Sequence, residues 1–263
     1  MKKFKVLVLT VVAVLALASC GTTQTVPLTG RTHRISVSDE QVLSLSNQEY
    51  TKYMASAKKS TNAANTAMVQ RVGKRLANAV ELYLKQNGFE ADVKNYSWEF
   101  NLVQDKSANA FCMPGGKIVV YEGLLPYTQN ETGLAIVLGH EIAHAVAKHS
   151  AEQLTKQQNQ QTGTSILGTV LNQTVGNGVG NVASAVAGQY FSFRNLKYSR
   201  DNETEADYMG LSSLPWLVTI LSRPFLSGRE CHRALAAIRV IFSVITLQTP
   251  SVLLPCRKKC LLR

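Results

Sequence analysis

Two histidines and a glutamate stand together at His140-Glu141-Ile142-Ala143-His144. On a helix, residues four apart share a face, so both imidazoles can bind one zinc ion. Glu141 lies about 100° round the helix from His140. There its carboxylate can act as general base on a water that the metal has acidified toward a pKa of about 7. Hydrolysis by such a site needs a third protein ligand and an open fourth position. The stretch 198–210, YSRDNETEADYMG, offers candidates. Glu203 and Asp207 are four apart on a predicted helix, so one can ligate the metal while the other hydrogen-bonds a metal-bound histidine. Spacing alone does not choose between Glu203 and Glu205, and a solvated acidic helix face is the alternative.

These groups need a scaffold, and hydropathy periodicity predicts one. Residues 39–88 are helix-like, with Val42, Leu45, Met68, Val72, Leu76, Val80 and Leu84 at helical spacing, and Asn87-Gly88 ends the second helix. Residues 96–104 alternate as a strand. A second strand, 117–121, follows the turn Pro114-Gly115-Gly116. The tetrapeptide TQNE at 128–131 fits a Thr-x-x-Glu capping box that opens a helix running to about Ser150. Leu134, Val137, Leu138 and Val146 flank the histidines, as a buried active-site helix requires. Residues 156–188, rich in Gln, Asn, Gly, Thr and Ser, read as a helical excursion or lid, or equally as a plain surface insertion, and a further helix is expected over about 200–210. His149, five residues after His144, is rotated off the ligand face and is expected at the surface or in a hydrogen bond. Cys112 is expected as a small packed residue, and Tyr208 as a helix-packing one, the alternative being a reach into the cleft to steady an oxyanion.

The chain has 263 residues and a formal charge of +11. Lys2, Lys3 and Lys5 lie in the first 19 residues, while the last 53 carry eight basic residues against Glu230 alone. The body between them is nearly neutral, which argues against a basic groove for nucleic acid. Five cysteines, Cys20, Cys112, Cys231, Cys256 and Cys260, form neither a disulfide framework nor a CxxC pair. The positive start, the apolar run over 6–18 and the sequence Leu17-Ala18-Ser19-Cys20 resemble the signal and lipobox of bacterial lipoproteins. That resemblance implies cleavage before Cys20 and lipid on its sulfur. Gly21, with no acidic residue close behind, favours outer-membrane retention. Residues 21–30 then read as a polar tether.

Four stretches carry a wider resemblance: VPLTGR at 26–31, NAFCMPGGKIVVYEGLL at 109–125, HEIAHAVAKHSAEQ at 140–153 and YSRDNETEADYMG at 198–210. Together they resemble the M48 metallopeptidases, gluzincins that include bacterial periplasmic lipoprotein peptidases. The resemblance implies a zincin-like α+β domain, mostly helical, with a small sheet over the HExxH helix. It implies one zinc ion per chain held by His140, His144 and Glu203, Glu141 as catalytic base, and Asp207 as the carboxylate behind a ligating histidine. It also implies that Asn109 to Gly116 lead into a strand beside the cleft, where an extended polypeptide can add as another strand. The expected protein is an envelope peptidase anchored in the membrane through Cys20, facing the periplasm and cleaving misfolded or misassembled envelope proteins. The alternatives are a non-catalytic assembly factor that holds clients in the same cleft, or an inactive truncated peptidase.

The expected organisation is a signal peptide over 1–19, a lipidated N-terminus and tether over 20–38, an incomplete peptidase domain over 39–210, and an aberrant tail over 211–263. After Gly210 the family pattern stops. One choice of codons for 211–231, read two nucleotides later, gives FVFAMAGYNPEQAVSFWQRMS, and the same shift on 244–260 permits HHPSDAKRIATLQKEMP. These restore family-like text, so residues 211–263 are read as out of frame and His232 as no functional histidine.

Overall fold

The computed structural model describes residues 21–160, 192–194 and 196–212, with Leu211 and Ser212 described by their backbone only. The expected signal peptide with Cys20, nearly all of the expected lid and the expected tail after Ser212 lie outside the described residues.

Strands β1 (Thr22–Thr25) and β2 (Thr32–Ile35) form an antiparallel hairpin. Its loop closes through Val26 N–H to Arg31 C=O and Gly30 N–H to Val26 C=O. Residues 21–30 are therefore not a free tether. Val26 and Ile35 are buried, and the hairpin is docked on the body. The apolar residues are too few and too widely spaced to announce a strand by alternation, and that hid the hairpin.

The helical stretch expected over 39–88 divides into α1 (Asp39–Ser56) and α2 (Ala63–Gln86). Ser38 and Gln41 form a capping box on α1, and Asn62 caps α2. The intervening residues join the sheet instead, with Ser60 N–H donating to Leu102 C=O and Gln104 N–H to Lys58 C=O. Leu45, expected inward, is exposed, and Ser46 and Glu49 are buried on the inner face of α1. Asn87 caps the C-terminus of α2, and Gly88 follows at φ +84°. A short α3 (Glu90–Val93) leads to the sheet.

Among the described residues the sheet has three strands in the order β3-β5-β4: β3 (Glu99–Val103), β4 (Ala110–Met113) and β5 (Lys117–Tyr121). β5 is central, parallel to β3 and antiparallel to β4. Its side chains alternate between faces. Ile118 and Val120 join Val72, Leu76, Leu134, Leu138 and Ile142 in one apolar cluster. Val119 and Tyr121 join Ile35, Val42, Phe111, Leu154 and Phe193 in another. A sheet covered on both faces explains why KIVVY is apolar throughout and why AFCM, four residues long, carries no alternating signal.

A short α4 (Leu125–Thr128) precedes α5 (Glu131–Val146), the helix of the two histidines. The capping box expected at 128–131 does not form. Asn130 is the cap, accepting from Gly133 N–H, whereas Thr128 ends α4 and donates to Leu125 C=O. Nor does α5 reach Ser150. Lys148 at φ +52° breaks it, and a separate helix α6 occupies 149–160. Helix α7 (Arg200–Ser212) lies across α5. This is the α+β, mostly helical architecture with a small sheet over the HExxH helix.

The crossing of α5 and α7 is close because Gly210 has no side chain. A Cβ there would lie 2.9 Å from His140 N and 3.1 Å from the carbonyl carbon of Gly139. At Gly139 an added Cβ would meet Gly210 O at 3.5 Å, an ordinary contact. Gly210→Ala should therefore cost about 1–3 kcal/mol by overpacking against backbone. Gly139→Ala should be neutral or stabilising, since alanine is favoured over glycine in a helix by about 1 kcal/mol. Urea unfolding midpoints of the two variants test this, and equal midpoints would show that the crossing is not limiting.

The hairpin is held by ion pairs. Arg31 Nη2 lies 2.9 Å from Glu152 Oε2 on α6, and His33 Nδ1 lies 3.1 Å from the same oxygen. The His33 hydrogen bond, opposed by burial and helped by Lys156 and Arg31, holds the Glu152 carboxyl well below its usual value of 4.5. A depressed carboxylate adds stability above that value and loses it as the pH falls below it. Glu152→Gln should thus be less stable than the parent by about 1–3 kcal/mol at neutral pH. The gap should narrow as the pH drops below 4.5, measured by thermal unfolding across pH. A gap that does not change with pH would remove Glu152 from hairpin docking.

Candidate metal centre

Helix α5 places His140 and His144 one turn apart and buries both. Leu134, Leu138 and Ile142 fix the helix in the core. The close crossing brings α7 alongside, so Glu203 enters from a second element. His140 Nε2 and His144 Nε2 are 3.0 Å apart, and Glu203 Oε2 stands 3.4 Å from the first and 3.8 Å from the second. All three donor atoms lie within 4.8 Å of one another.

The donor chemistry fits a metal ion. Asp207 Oδ1 sits 3.0 Å from His140 Nδ1, so that nitrogen carries the proton and Nε2 presents a lone pair. His144 Nδ1 is likewise engaged, 2.9 Å from His149 Nδ1. Three electron-rich atoms thus converge in a buried site and call for positive charge at their centre. Tetrahedral zinc, with bonds of about 2.0–2.2 Å, sets its ligands about 3.3–3.6 Å apart, and the observed separations bracket that range.

The electrostatics agree. Burial alone would lower His140, but its bonds to Asp207 and Glu203 raise it strongly. His144 is lowered, chiefly by burial, with the neighbouring His140 charge adding to the effect. Glu203, although burial opposes it, is held far below the usual carboxylate range by its bonds to the two histidines. Glu141 behaves in the opposite way. Burial raises it to about 7; the His140 charge opposes this, the Glu203 charge adds to it, and the Cys112 backbone N–H partly offsets it. A carboxyl poised near neutrality beside the cluster suits a group that takes up and returns a proton.

Cys112 also marks the open edge of the sheet. Tyr121 N–H bonds Asn109 C=O, so with Ala110 opposite Val120 the odd-numbered residues of the antiparallel β4 ladder face β5. The amides and carbonyls of Ala110 and Cys112 turn the other way, away from β5, and the Cys112 N–H meets the Glu141 carboxylate. The Cys112 side chain is packed in the core, as expected of it.

The structure brings His140, Glu141, His144, Glu203 and Asp207 together. Glu205 does not join them, because it faces the hairpin and pairs with Arg31. Of the two roles expected for His149 the structure shows the hydrogen-bonding one: the residue is fully buried and hydrogen-bonded at both ring nitrogens. Tyr208 is 43% exposed. The sequence reading missed Tyr198. Its ring stacks on His144 with centroids 4.1 Å apart and planes at 15°, and its hydroxyl meets Ser150 Oγ at 2.8 Å. An aromatic residue two positions before a helix carries no signal of that contact.

The chain is 37% identical over 124 residues to "Mitochondrial metalloendopeptidase OMA1" of Schizosaccharomyces pombe, covering 45% of this chain and 33% of that protein. Its identity to "Mitochondrial metalloendopeptidase OMA1" of Arabidopsis thaliana is 41% over 127 residues, 48% of this chain and 24% of that one. "Beta-barrel assembly-enhancing protease" of Yersinia pestis is 44% identical over 52 residues, 20% and 11% of the respective chains. The alignments thus span a third or less of these relatives' own lengths. Residues 63–216, more than half of the chain, match the profile described as Peptidase family M48, and the chain belongs to that family.

Proposed function

We propose that this protein is a zinc-dependent endopeptidase acting on extended polypeptides of a bacterial envelope. The observation that carries the reading is the convergence of His140 Nε2, His144 Nε2 and Glu203 Oε2, with the raised Glu141 carboxyl beside them. His140, His144 and Glu203 would hold the zinc, and Asp207 would orient His140 from behind. When bound, the ion supplies Lewis acidity to a water and to the scissile carbonyl.

The protein's own groups do the rest. Glu141 takes the proton of the attacking water on its carboxylate oxygen and returns it to the departing amide nitrogen. The outward amides and carbonyls of Ala110 and Cys112 line up an extended segment as an added strand. Such recognition reads backbone rather than side chains, which suits unfolded or misassembled clients. Cys20, at the end of an apolar signal-like run, would carry the lipid that holds the protein at the membrane. No helix among the described residues is long and apolar enough to cross a membrane.

Glu141→Gln should retain about one zinc per chain and lose cleavage of an unfolded protein by about 10²–10⁴-fold. Glu203→Ala should lose the metal as well. Zinc content by elemental analysis and casein cleavage read the two effects. Full stoichiometry in Glu203→Ala would take Glu203 out of the ligand set. A parent protein that binds zinc but cleaves nothing would favour the non-catalytic assembly factor.

Expression in a bacterial host with a fatty-acid probe should label the protein, and Cys20→Ser should abolish the label. A mature chain that begins anywhere other than Cys20, by mass spectrometry, would overturn the anchor.

A further inference from the structure

Behind His144, on the side away from the cluster, a line of polar groups runs through the interior to the N-terminal hairpin. His144 Nδ1 is 2.9 Å from His149 Nδ1, and His149 Nε2 is 3.0 Å from Glu205 Oε2. Glu205 in turn accepts from Arg31 Nε at 2.7 Å and from the Thr29 hydroxyl. Among these groups His149 is fully buried and Glu205 nearly so.

The protons in this line have one consistent arrangement with both rings neutral. An ionised carboxylate only accepts, so His149 Nε2 must donate to Glu205. A neutral imidazole carries a single N–H, which leaves His149 Nδ1 as an acceptor. It can then only receive the proton of His144 Nδ1. That assignment strips His144 Nε2 of hydrogen and points its lone pair at the cluster.

We propose that His149, fixed by Glu205, is a positioning residue that selects the metal-binding tautomer and ring plane of His144, and that Arg31 and Thr29 couple hairpin docking to metal affinity. The proposal rests on the metal reading of the cluster. Tyr198 supports it from the ring face, since stacking leaves His144 free to turn only about its own plane. Asp207 does for His140 with one carboxylate what His149 and Glu205 do for His144 in two steps.

The device depends on the break at Lys148. In a continuous helix a residue five positions on lies about 140° from His144. The turn at φ +52° redirects the chain, so the first residue of α6 faces back toward the last ligand of α5. Lys148 is held in this turn by Asp39 and Asp92, with its Nζ 2.9 Å from an oxygen of each.

Two variants separate tautomer control from simple filling of space. In His149→Asn the side-chain oxygen can take the place of Nδ1 and accept from His144, although it cannot reach Glu205. In His149→Gln the amide takes the place of Nε2 and reaches Glu205 but not His144. Zinc affinity, measured by chelator competition on the full chain, should stay within a few-fold of the parent in the Asn variant. It should fall by about 10–100-fold in the Gln variant. The visible spectrum of the cobalt-substituted protein should shift in the same order. Equal affinities for both variants and the parent would overturn the relay. Failure of the parent itself to bind zinc would overturn the metal reading and the relay with it. If neither His149 variant folds, Arg31→Gln at the partly exposed end of the line serves instead. A several-fold loss of zinc affinity is expected there, and unchanged affinity would overturn the coupling to the hairpin.

Discussion

Everything at the centre depends on how near α7 can come to α5. Two histidines on one helix cannot close a metal site alone, so a third donor must arrive from another element and stop at a fixed depth. Gly210 sets that depth by letting one backbone rest against another at His140. With the helices at this distance, Glu203 reaches both imidazoles and Asp207 reaches the back of one. The sheet and α2 serve the same end from the other side, since Leu134, Leu138 and Ile142 anchor α5 in their apolar cluster.

Helix α7 works as a bracket with two faces. Glu203 and Asp207, four apart, lie on the side of the cluster. Glu205, two residues from Glu203, points about 200° round the helix and belongs to the hairpin. Arg31 joins that acid to Glu152 on α6, so one guanidinium ties the hairpin to two helices. The local acidity that made Glu203 and Glu205 interchangeable by spacing is thus divided between binding chemistry and assembly. Neighbours distant in sequence, Arg31, Thr29 and His149, tell them apart.

What could be read without coordinates was whatever a single element encodes. The histidine pair, the central strand at 117–121, the stop at Asn87-Gly88 and the helix near 200–210 depend on local pattern, and each is where it was expected. Features that depend on tertiary partners escaped. Thr128 and Asn130 both suit a cap, and the winner was decided by the turn of α4 with Gln129 at φ +60°. Lys148 at positive φ contradicts its own propensity and is held by Asp39 and Asp92, more than fifty residues away. His149 was judged from the geometry of an unbroken helix, which is why its bond to His144 could not be foreseen. The hairpin was hidden because its buried residues, Val26, His33 and Ile35, are dispersed among polar ones.

The hairpin begins at Thr22, and that limits how the protein can work at a surface. With Cys20 lipidated as proposed, Gly21 alone separates the anchor from the first strand, and two Cα steps span about 7 Å of extended chain at most. So short a leash cannot let the body roam. The cleft would ride at a nearly constant height above the lipid, set by the size of the folded domain itself. Polypeptides emerging from or stalled at the bilayer would pass within reach, whereas those free in the surrounding fluid would have to be carried to it. Selectivity for clients would then come from altitude as much as from sequence.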